Sequence, residues 1–216
     1  MDFILPRKFS LPRLYPIVDA GFLAARGVGV EAFAARLLDA GATLLQYRDK
    51  SGTPQKVLQN AALIRGALHG RGCRLIMNDR ADLAVLAEWD GVHVGQGDQA
   101  PEDARRVVGA GRLVGVSTHT DEQVQWADLS PVDYIAVGPV FATGTKADAE
   151  PVIGLEGVRR TRALTGKPIV AIGGITRMNA RGVIDAGADS VAVISALLVE
   201  GEPVEKVARD FIEFLR

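Results

Sequence analysis

Eight short apolar runs recur along the chain, and most are followed at once by a compact polar or glycine-rich cluster. The runs are Leu14 to Val18, Thr43 to Tyr47, Cys73 to Met77, Gly91 to Val94, Arg112 to Val116, Asp133 to Val137, Pro168 to Ile172 and Ser190 to Ile194. They are rich in Val, Ile and Leu and nearly continuous in hydrophobicity, the pattern of parallel strands buried on both faces. Between most of them lies a stretch of helical period, such as Val30 to Ala40, which ends at Gly41 as its C-cap. Pro54 and Pro101 fit the first turns of the second and fourth helices, while Asp121, Thr176 and Gly187 suit helix boundaries. Phe211 to Arg216 is expected to close an outer ring, and Pro16, which lacks an N–H, to delay regular pairing until Ile17. Strand and helix alternating eight times predict an α/β fold, a (β/α)8 TIM barrel forming a single domain over residues 1–216, with residues 1–13 as a short N-terminal extension. That fold opens every strand's C-terminal end on one face, so the trailing clusters are expected to share one mouth.

Composition narrows the partners. With 216 residues there is little room for insertions, so the barrel's own loops must build the site. A formal charge of −1, with both signs interspersed, favours neither nucleic acid nor a membrane surface as a partner. The single Cys73 excludes an intramolecular disulfide and reads as a packed thiol within a strand, compatible with a reducing compartment. The first dozen residues, with Pro6, Arg7, Lys8 and Pro12, hold no apolar core long enough for a signal peptide, and no later stretch approaches a membrane span. The expectation is a cytoplasmic protein acting on small molecules, with a homo-oligomer left open by apolar positions on the outer helices.

The clusters carry the chemistry. Gln46-Tyr47-Arg48-Asp49-Lys50 follows the second run, and alternate residues of an extended segment share a face, so Gln46, Arg48 and Lys50 can turn to the mouth together. A planar guanidinium and a mobile ammonium suit a phosphate or diphosphate; a solvated loop with one surface salt bridge is the plainer alternative. Asn78-Asp79-Arg80 follows the third run and Gly95-Gln96-Gly97-Asp98 the fourth. Neighbouring strands lie about 4.8 Å apart, so Asp79 and Asp98 can approach one hard cation such as Mg2+, with water and substrate phosphate completing its shell. Three His and one Cys without compact spacing speak against a transition metal. Alternatively, Asp79 caps the next helix and Asp98 orders a turn.

The fifth run leads into Ser117-Thr118-His119-Thr120, and the sixth into a loop from Gly138 to Lys146. That loop ends in Thr143-Gly144-Thr145-Lys146, which offers hydroxyls, backbone N–H groups and a cation to an anion. Gly173-Gly174-Ile175-Thr176 and Ser195-Ala196 follow the last two runs, where barrels commonly hold phosphate; the glycines alternatively only permit a tight turn. His119 reads as a hydrogen-bonded loop residue rather than a general acid or base, His93 as barrel interior or wall, and His69 and Trp126 as ordinary helix residues. Two anion-binding areas and a dicarboxylate at one mouth suggest a reaction that joins a diphosphate-bearing molecule to another phosphorylated one.

These clusters, together with Asp90-Gly91-Val92-His93-Val94-Gly95-Gln96-Gly97-Asp98, Gly115-Val116-Ser117, Ile172-Gly173-Gly174-Ile175 and Ala192-Val193-Ile194-Ser195, resemble the thiamine phosphate synthase family from the second strand to the eighth, in the family's order. The resemblance implies coupling of 4-amino-2-methyl-5-hydroxymethylpyrimidine diphosphate to a thiazole phosphate, or its carboxylated form, with release of pyrophosphate. It implies Mg2+ at Asp79 and Asp98. It places the pyrimidine diphosphate against Gln46, Tyr47, Arg48, Asp49, Lys50, Asn78, Ser117 and Lys146, and the thiazole phosphate against Thr143, Gly144, Thr145, Gly174, Ile194 and Ser195. Lys146, Arg48, Lys50 and Ser117 would be the catalytic residues, and the family's reaction is thought to run through a pyrimidine methyl cation captured by the thiazole nitrogen. A thiazole tautomerase of the same fold and a noncatalytic phosphate-binding barrel remain as rivals; neither needs the Asp79 and Asp98 pair.

Overall fold

The computed structural model describes residues 10–144 and 151–216. Its strands are β1 (Leu14–Asp19), β2 (Leu44–Arg48), β3 (Arg74–Asn78), β4 (Gly91–Val94), β5 (Leu113–Thr118), β6 (Tyr134–Val137), β7 (Ile169–Ile172) and β8 (Ser190–Val193). They pair in sequence order, all parallel, and β8 returns to β1 to close the barrel. Around them lie α1 (Ala20–Ala24), α2 (Val30–Asp39), α3 (Pro54–Leu68), α4 (Ala81–Leu86), α5 (Pro101–Val108), α6 (Asp121–Leu129), α7 (Gly154–Leu164), α8 (Ala180–Asp185) and α9 (Val204–Phe214), with a 3-10 turn at Ser195–Leu197.

Local chemistry explains the element boundaries. Gly41 takes positive φ, and the N–H groups of Gly41 and Ala42 reach back to the carbonyls of Leu38 and Leu37, which closes α2 in a Schellman motif. Thr53 caps α3 ahead of Pro54, and Thr120 forms a capping box with Gln123 ahead of Asp121. Thr176 precedes a turn, and α8 begins only at Ala180. The last helix starts well before Phe211, which is buried beneath it. Pro16 behaves differently on its two edges: pairing with β8 starts at Leu14, whereas pairing with β2 starts at Ile17. Cys73 lies just ahead of β3 rather than within it, half-buried, and burial pushes its thiol up to about 12.

At the closed end of the barrel one device recurs. Asp90, Asp133 and Asp189 stand immediately before β4, β6 and β8. Their carboxylates accept the N–H of Leu75 in β3 (2.8 Å), Val114 in β5 (2.7 Å) and Ile169 in β7 (2.8 Å). Each carboxylate thus ties the start of one strand to its neighbour and fixes their stagger. Arg105 and Arg162 neutralise Asp133 and Asp189.

Apolar side chains fill two layers. The larger lies between strands and helices. The smaller fills the lumen with Leu11, Tyr15, Ile17, Leu44, Ile76 and Tyr134 among others, so the end of the expected N-terminal extension contributes Leu11 to the core. Within the lumen Gly115 is required by space: a Cβ there would stand 2.1 Å from the Tyr134 ring. Its missing side chain lets Tyr134 and His93, from the two flanking strands, stack at 5.5 Å. Gly115→Ala is therefore expected to lower unfolding free energy by about 1–3 kcal/mol, read as a lower urea midpoint; an unchanged midpoint would contradict this packing.

Candidate active site

The strand ends converge as expected, and period-two alternation decides what each presents. In β2, Gln46 and Arg48 share one face while Tyr47 turns outward against Trp89, with ring centroids 6.1 Å apart. Gln46 is buried in the lumen, where its Nε2 donates to Tyr15 Oη (3.2 Å). Arg48 donates from Nη1 to the buried Asp19 at the end of β1, so it is held in an ion pair and is not a solvated loop charge. Asp19 also accepts the N–H of Phe22 (2.9 Å), which caps α1. One carboxylate therefore starts a helix and aims a guanidinium. Sequence reading passed over Asp19, although its place immediately after an apolar run was the available signal.

Tyr47 and Asp49 serve the loop instead of the mouth. Tyr47 Oη donates to Asp49 Oδ2 (3.1 Å) and accepts from Asn60 (2.8 Å). Asp49 Oδ1 accepts the N–H groups of Ser51 (3.2 Å) and Gly52 (2.7 Å). Both side chains are engaged in shaping the turn that leads to α3.

Lys50 Nζ donates to Asp79, which follows Asn78 at the end of β3. Asp79 adopts φ +64, and its N–H reaches the carbonyl of His93 (2.7 Å), so its backbone is pinned to β4. It does not cap α4, whose N-cap is Arg80. Asp98 accepts the N–H of Gly95 (2.8 Å) and so orders its turn, yet it also faces Asp79. Burial, then the neighbouring Asp98, raise the Asp79 carboxyl above its ordinary value despite Lys50. Burial pushes Asp98 upward too, but hydrogen bonds from Asp79 and the Gly95 N–H outweigh it and leave the group below its ordinary value. Two carboxylates this close resist ionising together unless positive charge stands between them. An all-oxygen pair that leaves most positions to water and substrate phosphate fits Mg2+; among the described residues no group of three or more His, Cys, Asp or Glu gathers as for a transition metal.

The opposite half of the mouth is a cavity of about 450 Å³. Ser117, Thr143, Gly144, Gly174, Ile194 and Ser195 all line it, and His119 joins them while its Nδ1 bonds the Gly138 carbonyl at 2.7 Å. Gly173 and Gly174 have φ +103 and +63, and a Cβ at either would come within 2.5 Å of the loop after β6. The two loops lie this close because Val140 and Phe141 donate to the carbonyls of Ile172 and Gly173. Asn179 fixes the turn by bonding Gly174 O and the Thr176 N–H. Among the described residues nothing accepts from the N–H groups of Gly174 and Ser195, the arrangement an anion requires. Thr145 and Lys146 lie outside the described residues.

Ser117 stands between the halves. Its Oγ lies 2.9 Å from His93 Nε2, while its carbonyl accepts from Gln96 (2.7 Å). His93 is lumen, as the sequence reading had it.

Residues 14–197 match the family model described as thiamine monophosphate synthase. A thiamine-phosphate synthase of Koribacter versatilis is 52% identical over 208 residues, covering 95% of this chain and 97% of that one. Its counterpart in Xanthobacter autotrophicus is 44% identical over 95% of each chain. The solved thiamine phosphate pyrophosphorylase of Pyrococcus furiosus superposes with a TM-score of 0.82 at 30% identity, covering 94% of this chain and 95% of that one. The chain belongs to the thiamine monophosphate synthase family.

Proposed function

We propose that the chain is a magnesium-dependent thiamine-phosphate synthase, a transferase that couples 4-amino-2-methyl-5-hydroxymethylpyrimidine diphosphate to the phosphate of 4-methyl-5-(2-hydroxyethyl)thiazole, or its carboxylated form. The observation that carries the reading is the facing Asp79 and Asp98 pair, with Lys50 and Arg48 beside it, at the same mouth as a separate anion-suited cavity. A tautomerase or a plain phosphate receptor needs only the second half. Among the described residues no helix is long and apolar enough to cross a membrane, and the proposed setting is the cytoplasm.

The pyrimidine diphosphate sits on the side of β2 to β4. Gln46 and Asn78 stand at the strand ends, Lys50 reaches the diphosphate as a mobile charge, and Arg48 does so as a fork held by Asp19. Asp79 and Asp98 would hold Mg2+, which when bound neutralises charge on the diphosphate oxygens. The thiazole phosphate takes the N–H groups of Gly174 and Ser195, with Thr143, Gly144 and Ile194 along the wall; Thr145, next in sequence, is assigned to the same phosphate. The bond from the pyrimidine methylene carbon to the diphosphate oxygen breaks, its electron pair leaves with pyrophosphate, and the thiazole nitrogen's lone pair forms the new carbon–nitrogen bond. No proton has to move from the nucleophile, so the site needs no Ser-His-Asp set. Arg48 and Lys50, cations already in place, stabilise the leaving diphosphate without reorganising, and Lys146, outside the described residues, is assigned the same task. The largely apolar wall of the cavity excludes water from a reactive carbon.

Purified protein given both substrates and Mg2+ should release one pyrophosphate per thiamine phosphate formed, and chelation should stop it. Thiazole isomerisation without coupling would overturn the reading. Asp79→Ala and Lys146→Ala should each lower kcat by about 10²-fold or more with circular dichroism unchanged; wild-type turnover in either would contradict its role. Ser195→Ala should instead raise KM for the thiazole phosphate and leave KM for the diphosphate unchanged, and the opposite pattern would contradict the division of the mouth.

A further inference from the structure

The pairing of β7 with β8 ends at Ile172 and Ala192, and the Gly174 and Ser195 N–H groups both lie beyond that last pair. Their spacing therefore needs a hold other than the sheet. On one side the loop after β7 is fastened to the loop after β6 through the N–H groups of Val140 and Phe141. On the other side, among the described residues, every hydrogen bond that crosses from segment 173–179 to segment 194–203 comes from one side chain, Arg177. Its guanidinium meets Glu202 with both terminal nitrogens, Nη1 to Oε2 at 3.0 Å and Nη2 to Oε1, and Nη1 also reaches Asp210 Oδ2 at 2.7 Å.

Asp210 lies on α9, whose Val207, Ala208 and Phe211 are buried, so the guanidinium is anchored to a packed helix. Lys206, on the same helix, donates to Glu202 Oε2 (2.9 Å) and Asp210 Oδ2 (3.0 Å). The four charges close a ring in which each cation touches both carboxylates. Arg177, then Lys206, hold the Glu202 carboxyl down at about 2, so the ring stays ionised at neutral and mildly acidic pH. The 3-10 turn that begins at Ser195 packs against the same α9. Helix α9 is thus a common base: Ser195 rests on it through that turn, and the loop of Gly174 is tied to it through Arg177.

We propose that Arg177 is a positioning residue for the phosphate half of the mouth, clamping the loop after β7 to Glu202 and Asp210 and so fixing the separation of the Gly174 and Ser195 N–H groups. The inference rests on the reading of those groups as the site of the thiazole phosphate. An isolated exposed ion pair contributes little, because holding two long side chains in one geometry costs entropy. Here a planar guanidinium meets Glu202 as a fork, half-buried, within a ring of four charges. The charge of Arg177 is answered inside the ring, so the side chain acts through geometry and not as a ligand of the anion. Two donors already held at the right separation bind phosphate without first being brought together, which favours binding and leaves the chemical step untouched.

The test is a double-mutant cycle on Arg177→Met and Glu202→Ala, read by steady-state kinetics at fixed ionic strength and by amide hydrogen exchange. Each single variant should raise KM for the thiazole phosphate about fivefold, with kcat and KM for the diphosphate unchanged. The double variant should lose no more than either single one. Exchange should quicken in segments 173–179 and 194–203 and stay as in the wild-type protein across β1 to β6. A wild-type KM in either single variant overturns the proposal. So does a rise in KM with Arg177→Met alone, which would make Arg177 a direct contact of the phosphate, and so do losses that multiply in the double variant. If the wild-type protein does not couple its substrates, the functional reading fails; calorimetric titration of inorganic phosphate into the same four proteins, beside the exchange rates, then decides the clamp, and equal phosphate affinity with unchanged exchange overturns it.

Discussion

Closure of the parallel sheet between β1 and β8 is the constraint on which every functional placement depends. Each strand shows its side chains alternately to the lumen and to the helices, so a slip of one residue would exchange the two sets. The observed register sets Asp19 beside Arg48 and Asn78 beside His93, while Ser117 pairs with Ala136. Asp90, Asp133 and Asp189 hold that register at the opposite end by accepting N–H groups near the starts of the neighbouring strands. The mouth is thus positioned from below, by carboxylates that never approach a substrate.

Electrostatics then divides the mouth. On the side of β2 to β4, positive and negative groups are packed in pairs: Arg48 with Asp19, Lys50 with Asp79, and Asp79 against Asp98. Such a cluster is suited to a polyanion bearing its own divalent cation, because either the ion or the cationic side chains can answer the carboxylates. On the side of β7 and β8 the positive potential comes from backbone N–H groups around glycines, in a cavity whose remaining wall is largely apolar. A monophosphate with a hydrophobic ring matches that half. On the proposed reading, a nearly neutral chain offers two unlike anion sites by local arrangement alone.

The barrel was legible in the sequence because both-face burial leaves eight dense apolar runs, and their observed limits differ from those runs by only a residue or two. The strand-end clusters were legible for the same reason, since the fold carries everything after a strand to one face. What escaped depends on pairing between distant strands. The sequence gives no sign that Tyr15 and Tyr134 meet across the lumen, or that Asp19 is the partner of Arg48, because those contacts follow from closure and stagger. Tyr47 and Asp49 sat within a motif read as a unit, yet alternation sends Tyr47 outward and the turn at Gly52 takes up Asp49.

The central claim is that one mouth holds two independent anion sites, one carried by the carboxylate pair and one by backbone N–H groups. Calorimetric titration of inorganic phosphate and of magnesium pyrophosphate, each in the presence of saturating amounts of the other, tests it most directly. Both should bind at once, with Asp98→Asn losing only magnesium pyrophosphate and Ser195→Ala weakening only phosphate; mutual exclusion of the two ligands, or one substitution abolishing both, would contradict the account.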